Sequence, residues 1–372
     1  MNKKLQVGLI FGGRSGEHEV SLMSARSVID VIDPEKYQVT QIGITHQGKW
    51  MVGENVWEAL NNNDTSKLKQ AVLLPEPGHQ RIYFLETGAS GLTLLPYADL
   101  DVLFPVMHGT FGEDGTMQGL LEMADAAYVG AGVLGSAVGM DKGLFKDVMN
   151  AHNIPVAPSI IVTRNQIHSD MPNLISLAEK VGAYPLFIKP ANLGSSVGIT
   201  KCYNRSDLME GLLDATRYDR RVLIEKGING REVEVSVLGN ENPIASVPGE
   251  ILPAADFYTY DAKYYDDRSQ LFIPANLSPE KTKQIRSMAV EVYTSVDCAG
   301  LARVDFLVDK DNEDIFVNEI NTIPGFTQIS MYPKLFEASG ISYSELINKL
   351  IQFALERKHD RDMTERSFER SK

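Results

Sequence analysis

The sequence predicts an α/β protein, α+β in parts, divided into three domains, the first built on a mostly parallel sheet. Three observations carry this. The 372 residues exceed what one compact core usually organises. The N-terminal part alternates short apolar runs with stretches of helical periodicity, as in a sheet layered with helices. The later part carries apolar runs interrupted by polar residues at every second position, the pattern of half-buried strands. Hydrophobic residues at 43% and charged residues at 23% are ordinary for a globular chain and exclude fibrous, collagenous or largely disordered classes.

Leu5 to Gly13 (LQVGLIFGG) is apolar and β-branched enough for a buried strand, and Glu19 to Ile32 (EVSLMSARSVIDVI) follows with helical spacing. Val39 to Ile44 and Val102 to Val106 are further strand-like runs, and ligands of such a layer belong at the carboxyl ends of its strands. Near Gly130 the composition turns glycine-rich (GAGVLGSAVGMDKGLF) before a helical pattern that ends ahead of Asn153-Ile154-Pro155. A boundary there gives domains 1–130 and 131–225. Within the second, LFIKPANLGSSVGITKCY reads as strand, glycine-serine turn, strand, and VLIEKGI adds a strand ending near Glu225. The third domain, 226–372, holds the strands REVEVSVLG, ARVDFLV and DIFVNEI, a polar aromatic stretch FYTYDAKYYDDRSQ, and helical patterns over 279–295 and 343–356. The closing ERKHDRDMTERSFERSK mixes charges without apolar periodicity and is expected to be a frayed tail.

Lys plus Arg number 36 against 49 Asp plus Glu, and the net charge of -13 works against general attraction to nucleic acid or anionic membrane. An anionic ligand therefore needs local cations. No apolar run approaches the roughly 18 residues of a membrane span, and the opening Met1-Asn2-Lys3-Lys4 is not followed by a signal-peptide cleavage site. Two cysteines, Cys202 and Cys298, suggest no disulfide framework, so a reducing cytoplasm is the expected location.

Three familiar signatures nearly occur, and each fails on its own mechanics. Gly43 to Lys49 has P-loop spacing, but Trp50 stands where a magnesium-binding hydroxyl belongs, so a hairpin turn is the better reading. Phe11 occupies the first glycine position of a dinucleotide fingerprint over Phe11 to Gly16. Gly194-Ser195-Ser196-Val197-Gly198 matches a hydrolase elbow, but a strand follows instead of a helix, and the only later histidine is His359.

The glycine-serine turn makes better sense as a hairpin over phosphates, because small residues let backbone N–H groups approach an anion. Lys189, just before it, can offer a point charge to those phosphates; a solvated strand lysine beside a tight turn is the competing reading. Arg303-Val304-Asp305 and Glu319-Ile320-Asn321 place polar pairs at i and i+2 on strand-like runs, so each pair shares one face. Asp305, Glu319 and Asn321 are hard oxygen donors suited to magnesium, with Arg303 facing a transferring phosphate; a structural ion pair is the alternative. Downstream, Pro324-Gly325 marks a tight turn whose Gly325 N–H could bind an oxyanion. Glu17, His108, Lys263 and Tyr264 sit in glycine-rich or loop contexts where groups that bind a zwitterion are useful, though a structural role fits His108 and Tyr264 equally well.

With these residues in view, the chain resembles the D-alanine-D-alanine ligase family of the ATP-grasp superfamily. The shared stretches are GGRSGEHEVS, HGTFGEDGT, MDK, IKPANLGSSVG, EKGINGRE, FYTYDAKY, ARVDF and NEINTIPGF, in the family's order and over nearly the whole chain. The resemblance implies a three-domain ATP-grasp architecture, with ATP between the central and C-terminal domains and two D-alanines near the N-terminal loop. By motif, Lys142, Lys189 and the serine turn with Ser196 match the groups around ATP phosphates, and Glu225, Lys226, Ile228 and Glu232 those around adenine and ribose. Gly227 stands where some members carry a bulky aromatic residue. Asp305, Glu319 and Asn321 match the magnesium positions, Arg303 and Gly325 the oxyanion donors, and Glu17 the binder of the first ammonium, networked with Ser195 and Tyr264. Lys263 and Ser330 match the holders of the second carboxylate, with His108 near the reacting one.

What the resemblance further implies is ATP-driven formation of D-alanyl-D-alanine through a D-alanyl phosphate for peptidoglycan precursors. Two magnesium ions per site, replaceable by manganese, and a cytoplasmic homodimer belong to the same expectation. Three rivals stand beside it. A D-alanine-D-lactate ligase shares the ATP residues, but such members tend to lack a tyrosine at the position of Tyr264. A silent nucleotide-binding regulator would have lost metal or oxyanion groups, and a nicotinamide dehydrogenase would need the intact fingerprint.

Overall fold

The computed structural model describes residues 3–89, 91–195, 197–252 and 270–366. Three sheets organise them. The first contains β1 (Leu5–Gly12), β2 (Tyr37–Ile44), β3 (Trp50–Val52), β4 (Lys69–Leu73), β5 (Arg81–Gly88), β6 (Gly91–Asp99) and β7 (Val102–Pro105), in the order β6-β5-β4-β3-β2-β1-β7. Only β2, β1 and β7 are parallel. The mostly parallel sheet read from the sequence is thus corrected to a mixed one. The helix His18–Val31 supplies the crossover from β1 to β2, whereas β2 turns into β3 through a hairpin too short to cross over. Strands β3 to β6 continue antiparallel from there.

The second sheet has β8 (Ser159–Thr163), β9 (Leu186–Pro190), β10 (Thr200–Cys202) and β11 (Arg221–Lys226) in the antiparallel order β10-β9-β11-β8. The glycine-serine turn joins β9 to β10, as the sequence pattern requires. The third sheet is ordered β15-β14-β12-β16-β17 with β13 on β12, from β12 (Gly230–Gly239), β13 (Ile244–Ala245), β14 (Gly249–Leu252), β15 (Gln270–Phe272), β16 (Gly300–Asp309) and β17 (Ile315–Asn321). Most of the polar aromatic stretch, Phe257 to Asp267 included, lies outside the described residues.

The described part of the closing charged segment, residues 356–366, departs from the expected frayed tail. The helix Tyr343–Asp362 runs well into it. Its apolar face, Leu346, Ile347, Leu350, Ile351 and Ala354, joins one core with Val7, Leu9 and Phe11 of β1 and Leu22, Ala25 and Val28 of the first helix. Beyond Ala354 the helix is held by charge. Arg361 pairs with Glu122 at 2.5 Å, Lys358 with Asp125 at 3.4 Å, and Arg357 lies 4.2 Å from the centre of the Tyr128 ring while donating to the Gly130 carbonyl. These partners sit more than 200 positions away in the chain, so no local periodicity announces them.

The last helix therefore completes the core of the first sheet. Leu350 is fully buried there, and Leu350→Ala is expected to cost about 2–5 kcal/mol, read as a lower urea midpoint at unchanged slope. An unshifted midpoint would show that the helix packs without contributing.

Candidate active site

The cleft floor is the third sheet. Along β16, Val304, Phe306 and Val308 point into the core, so the alternation of a strand turns Arg303 and Asp305 to the opposite face. Register then brings acids together from three strands: Asp305 faces Glu319 of β17 and Glu234 of β12, while Arg303 faces Asn321 and Ser236. Arg303 binds Asp305 with both arms of its fork, Nε to Oδ1 and Nη2 to Oδ2 at 2.7 Å each. Its Nε also lies 3.0 Å from Glu234 Oε2, and Asn321 Nδ2 donates to Asp305 Oδ2 at 3.0 Å. Burial alone would lower the guanidinium pKa, but Asp305 and Glu234 hold it well above its ordinary value.

Asp305, Glu319 and Asn321 offer two carboxylates and an amide, a hard donor set that fits magnesium. Among the described residues, no three His, Cys, Asp or Glu side chains gather into a protein-only cage.

The second sheet supplies the cations. Lys189 on β9 reaches Glu225 on β11 at 2.5 Å, and Lys146 pairs with the other oxygen of the same carboxylate. Burial pushes Glu225 up, yet the two lysines outweigh it and bring its pKa down to about 2. Burial likewise lowers Lys189, and the Glu225 charge more than restores it. Lys142 and Lys146 are one turn apart on the helix Lys142–Ala151, which Asp141 caps by accepting from Gly143 and Leu144 N–H at 3.0 and 2.9 Å. Lys142 Nζ donates to the Leu193 carbonyl at 2.7 Å, tying this helix to the glycine-serine turn.

That turn meets the N-terminal loop. Ser195, at a φ of +51°, donates its hydroxyl to Glu17. The Glu17 carboxylate is pressed between Gly194 and Gly109: a Cβ on Gly194 would stand 2.8 Å from Glu17 Oε2, and one on Gly109 would be closer still. Side chains at either glycine would expel the carboxylate.

A stripe of serines, Ser21, Ser24 and Ser27, runs at i,i+3 spacing along the first helix and faces these loops. Ser21 accepts from Gly12 N–H and donates to the Val106 carbonyl. Ser24 accepts from Phe326 N–H and lies 2.9 Å from His108 Nε2, while His108 Nδ1 lies 2.8 Å from the Ile323 carbonyl. A carbonyl only accepts, so Nδ1 carries the proton and Nε2 accepts from Ser24. Both ring nitrogens are therefore engaged in holding the loop after β17. Burial lowers the His108 pKa, in keeping with a neutral ring. Ser27 accepts from Gln328 N–H. Glu113 braces the same loop, accepting from Ile323 N–H at 3.0 Å and Gly109 N–H at 2.7 Å; burial and the neighbouring Glu17 raise its pKa to about 8.

Among the residues read from the sequence, Glu17, His108, Lys142, Lys189, Ser195, Glu225, Lys226, Ile228, Glu232, Arg303, Asp305, Glu319, Asn321, Gly325 and Ser330 line one cavity of about 1240 Å³. Ser330 Oγ accepts from Thr327 N–H at 3.1 Å and closes the turn in which a Gly325 Cβ would lie 3.2 Å away. Ser196, Lys263 and Tyr264 lie outside the described residues. Glu225, expected beside adenine and ribose, pairs with two lysines, and His108, expected near a reacting carboxylate, engages Ser24 and Ile323 through its ring nitrogens. Sequence reading missed Lys146, Glu113, Glu234 and Ser24. Their signals were present: an i,i+4 lysine pair in MDKGLFK, the acid in HGTFGEDGT, the alternating acids of REVEV and the spaced serines of SLMSARS.

Family models for the D-ala D-ala ligase N-terminus and the D-ala D-ala ligase C-terminus match residues 6–131 and 148–352. The chain is 47% identical over 370 residues to the D-alanine--D-alanine ligase of Natranaerobius thermophilus, covering 99% of this chain and all of that one. It is 48% identical over 372 residues to the enzyme of the same name from Ruminiclostridium cellulolyticum, covering 97% of each. Among solved structures, the D-alanine-D-alanine ligase of Coxiella burnetii superposes with a TM-score of 0.80 at 35% identity, covering 96% of both chains. The VanG D-Ala:D-Ser ligase of Enterococcus faecalis superposes at 0.81 and 35% identity, covering 95% of this chain and all of that one.

Two outcomes follow from the buried charges. Lys146→Met leaves Glu225 one cation short in a site where Lys146 is 3% exposed, and is expected to destabilise the fold by about 3–5 kcal/mol in chemical denaturation. Glu113 keeps a proton in the folded chain that the unfolded chain releases near 4.5, so its contribution to stability falls as pH rises from there to about 8. Glu113→Gln should flatten that part of the stability profile, and an unchanged slope between those limits would contradict the assignment.

Proposed function

The chain belongs to the D-alanine-D-alanine ligase family, and from that premise we propose how its cleft joins two D-alanines at the expense of ATP. It is an ATP-dependent ligase that uses a divalent metal ion. The observation that carries the detailed reading is the register that sets Asp305, Glu319, Asn321 and Arg303 on one face of the cleft whose wall bears Lys189.

A carboxylate is a poor electrophile, so the first D-alanine attacks the γ-phosphorus of ATP with a carboxylate oxygen, ADP departs, and D-alanyl phosphate forms. Lys142 and Lys189, with Ser196 in the turn above, hold the phosphates; Glu225, Lys226, Ile228 and Glu232 surround adenine and ribose. Asp305, Glu319 and Asn321 would hold magnesium, two ions per site with manganese able to substitute, and the metal would supply charge neutralisation for the reacting anions. Glu17, networked with Ser195 and Tyr264, binds the first ammonium, and Lys263 and Ser330 hold the second carboxylate. The neutral amine of the second D-alanine then attacks the acyl carbon. Arg303 and the Gly325 N–H stabilise the tetrahedral oxyanion, and phosphate leaves as the dipeptide forms. We assign His108 to holding the Ile323–Phe326 loop, supported by its bonds to Ser24 and Ile323.

In this reading residues 1–130 bear the first-substrate site, 131–225 the phosphate-covering turn, and 226–372 the metal site and second-substrate loop. The product serves peptidoglycan precursors in the cytoplasm, made by a homodimer. No helix among the described residues is long and apolar enough to cross a membrane.

The test is phosphate release coupled to dipeptide with ATP, magnesium and D-alanine, run beside D-lactate and D-serine as acceptors across pH. D-alanine is expected to be the preferred acceptor, and release without dipeptide would refute the assignment. Glu319→Ala should lower turnover at least about 10²-fold while leaving the circular dichroism spectrum intact; near-normal turnover would remove Glu319 from the metal site.

A further inference from the structure

We infer that Glu234 is a positioning residue: it gives the Arg303 guanidinium a second carboxylate, so that the arginine keeps its place on the cleft floor when Asp305 engages the divalent cation. This rests on the reading of Asp305, Glu319 and Asn321 as metal ligands.

In the structure both Asp305 oxygens carry protein donors. Arg303 takes Oδ1 and Oδ2 with its fork, and Asn321 shares Oδ2. A carboxylate that turns an oxygen to magnesium gives up part of that fork. The guanidinium cannot shed its charge in response, and with its side chain only 16% exposed it cannot turn to bulk water. It needs another anion. Glu319 is committed to the same cation, whereas Glu234 already lies 3.0 Å from Arg303 Nε with its own side chain 8% exposed.

Sheet order makes the division of labour possible. β16 lies between β12 and β17, so Glu234 stands across Asp305 from Glu319 and Asn321. The cation is drawn to the β17 side and the guanidinium to the β12 side, which separates two positive charges that would otherwise share one carboxylate. Ten residue pairs hold β12 to β16 in register, so this anchor is rigid. The arginine then keeps its aim at the oxyanion through the metal-dependent step.

The experiment is a double-mutant cycle in the full-length protein loaded with ADP, using Mn²⁺ as probe and its free electron paramagnetic resonance signal as readout. Glu234→Gln should weaken Mn²⁺ binding about tenfold, because Arg303, deprived of its second anchor, holds Asp305 harder. In the Arg303→Met background the same change should cost at most about twofold. Equal losses in both backgrounds would make Glu234 a direct partner of the cation and overturn the inference, as would no loss in either. Kinetically, kcat of Glu234→Gln should drop about tenfold or more with the KM for ATP nearly unchanged; a rise in that KM alone would also overturn it. Glu234→Asp, which keeps the charge, should recover part of both effects and serves where the Gln variant folds poorly. Absence of Mn²⁺ binding in the unsubstituted ADP-loaded protein would instead overturn the metal reading beneath it.

Discussion

A charge taken out of water must find an opposite charge, and the cleft is organised by that requirement. Glu225 sits between Lys146 and Lys189, and Arg303 between Asp305 and Glu234. Each cluster places a central ion between two of the opposite sign, so neither collapses into an inert neutral pair. The first leaves net positive charge on the wall bearing Lys189. The second leaves net negative charge on the floor. A chain with a net charge of -13 can thus receive a polyanion on one side of a cleft and a cation on the other, because local arrangement outweighs the global balance at a few ångströms.

Around these clusters, the loops are located by small residues and hydroxyls. Gly109 and Gly194 matter for the side chains they lack, since only hydrogen atoms fit against the Glu17 carboxylate. Ser21, Ser24 and Ser27 let one helix hold two separate loop segments, one after β7 and one after β17, through their backbone groups. His108 links the loop after β7 to the loop after β17, more than 200 positions apart in the chain. The residues proposed to bind ammonium, phosphate and metal are thereby referred to one frame, which a reaction between two bound substrates requires.

That frame is closed by the last helix. Its apolar face lies in the core of the first sheet, its N-terminal Tyr343 hydroxyl donates to the Phe326 carbonyl at 2.5 Å, and its charged end grips Glu122 and Asp125. One element therefore ties the first sheet to the loop that carries Gly325.

The sequence by itself determined the two strands ARVDFLV and DIFVNEI, which of their residues share a face, and the hard-oxygen character of the acids and amide on that face. Period-two alternation in ARVDFLV and DIFVNEI is a local property, and a strand has two faces whatever it packs against. The glycine-serine hairpin and the first crossover helix were legible for the same reason. What only the tertiary structure decided were the partnerships: Lys146 with Glu225, Glu234 with Arg303, Ser24 with His108, and the end of the last helix with Glu122 and Asp125. Local patterns name the face a side chain occupies, but register and sheet order choose its neighbour. A buried charge takes its meaning from that neighbour, and here the neighbours come from distant stretches of chain.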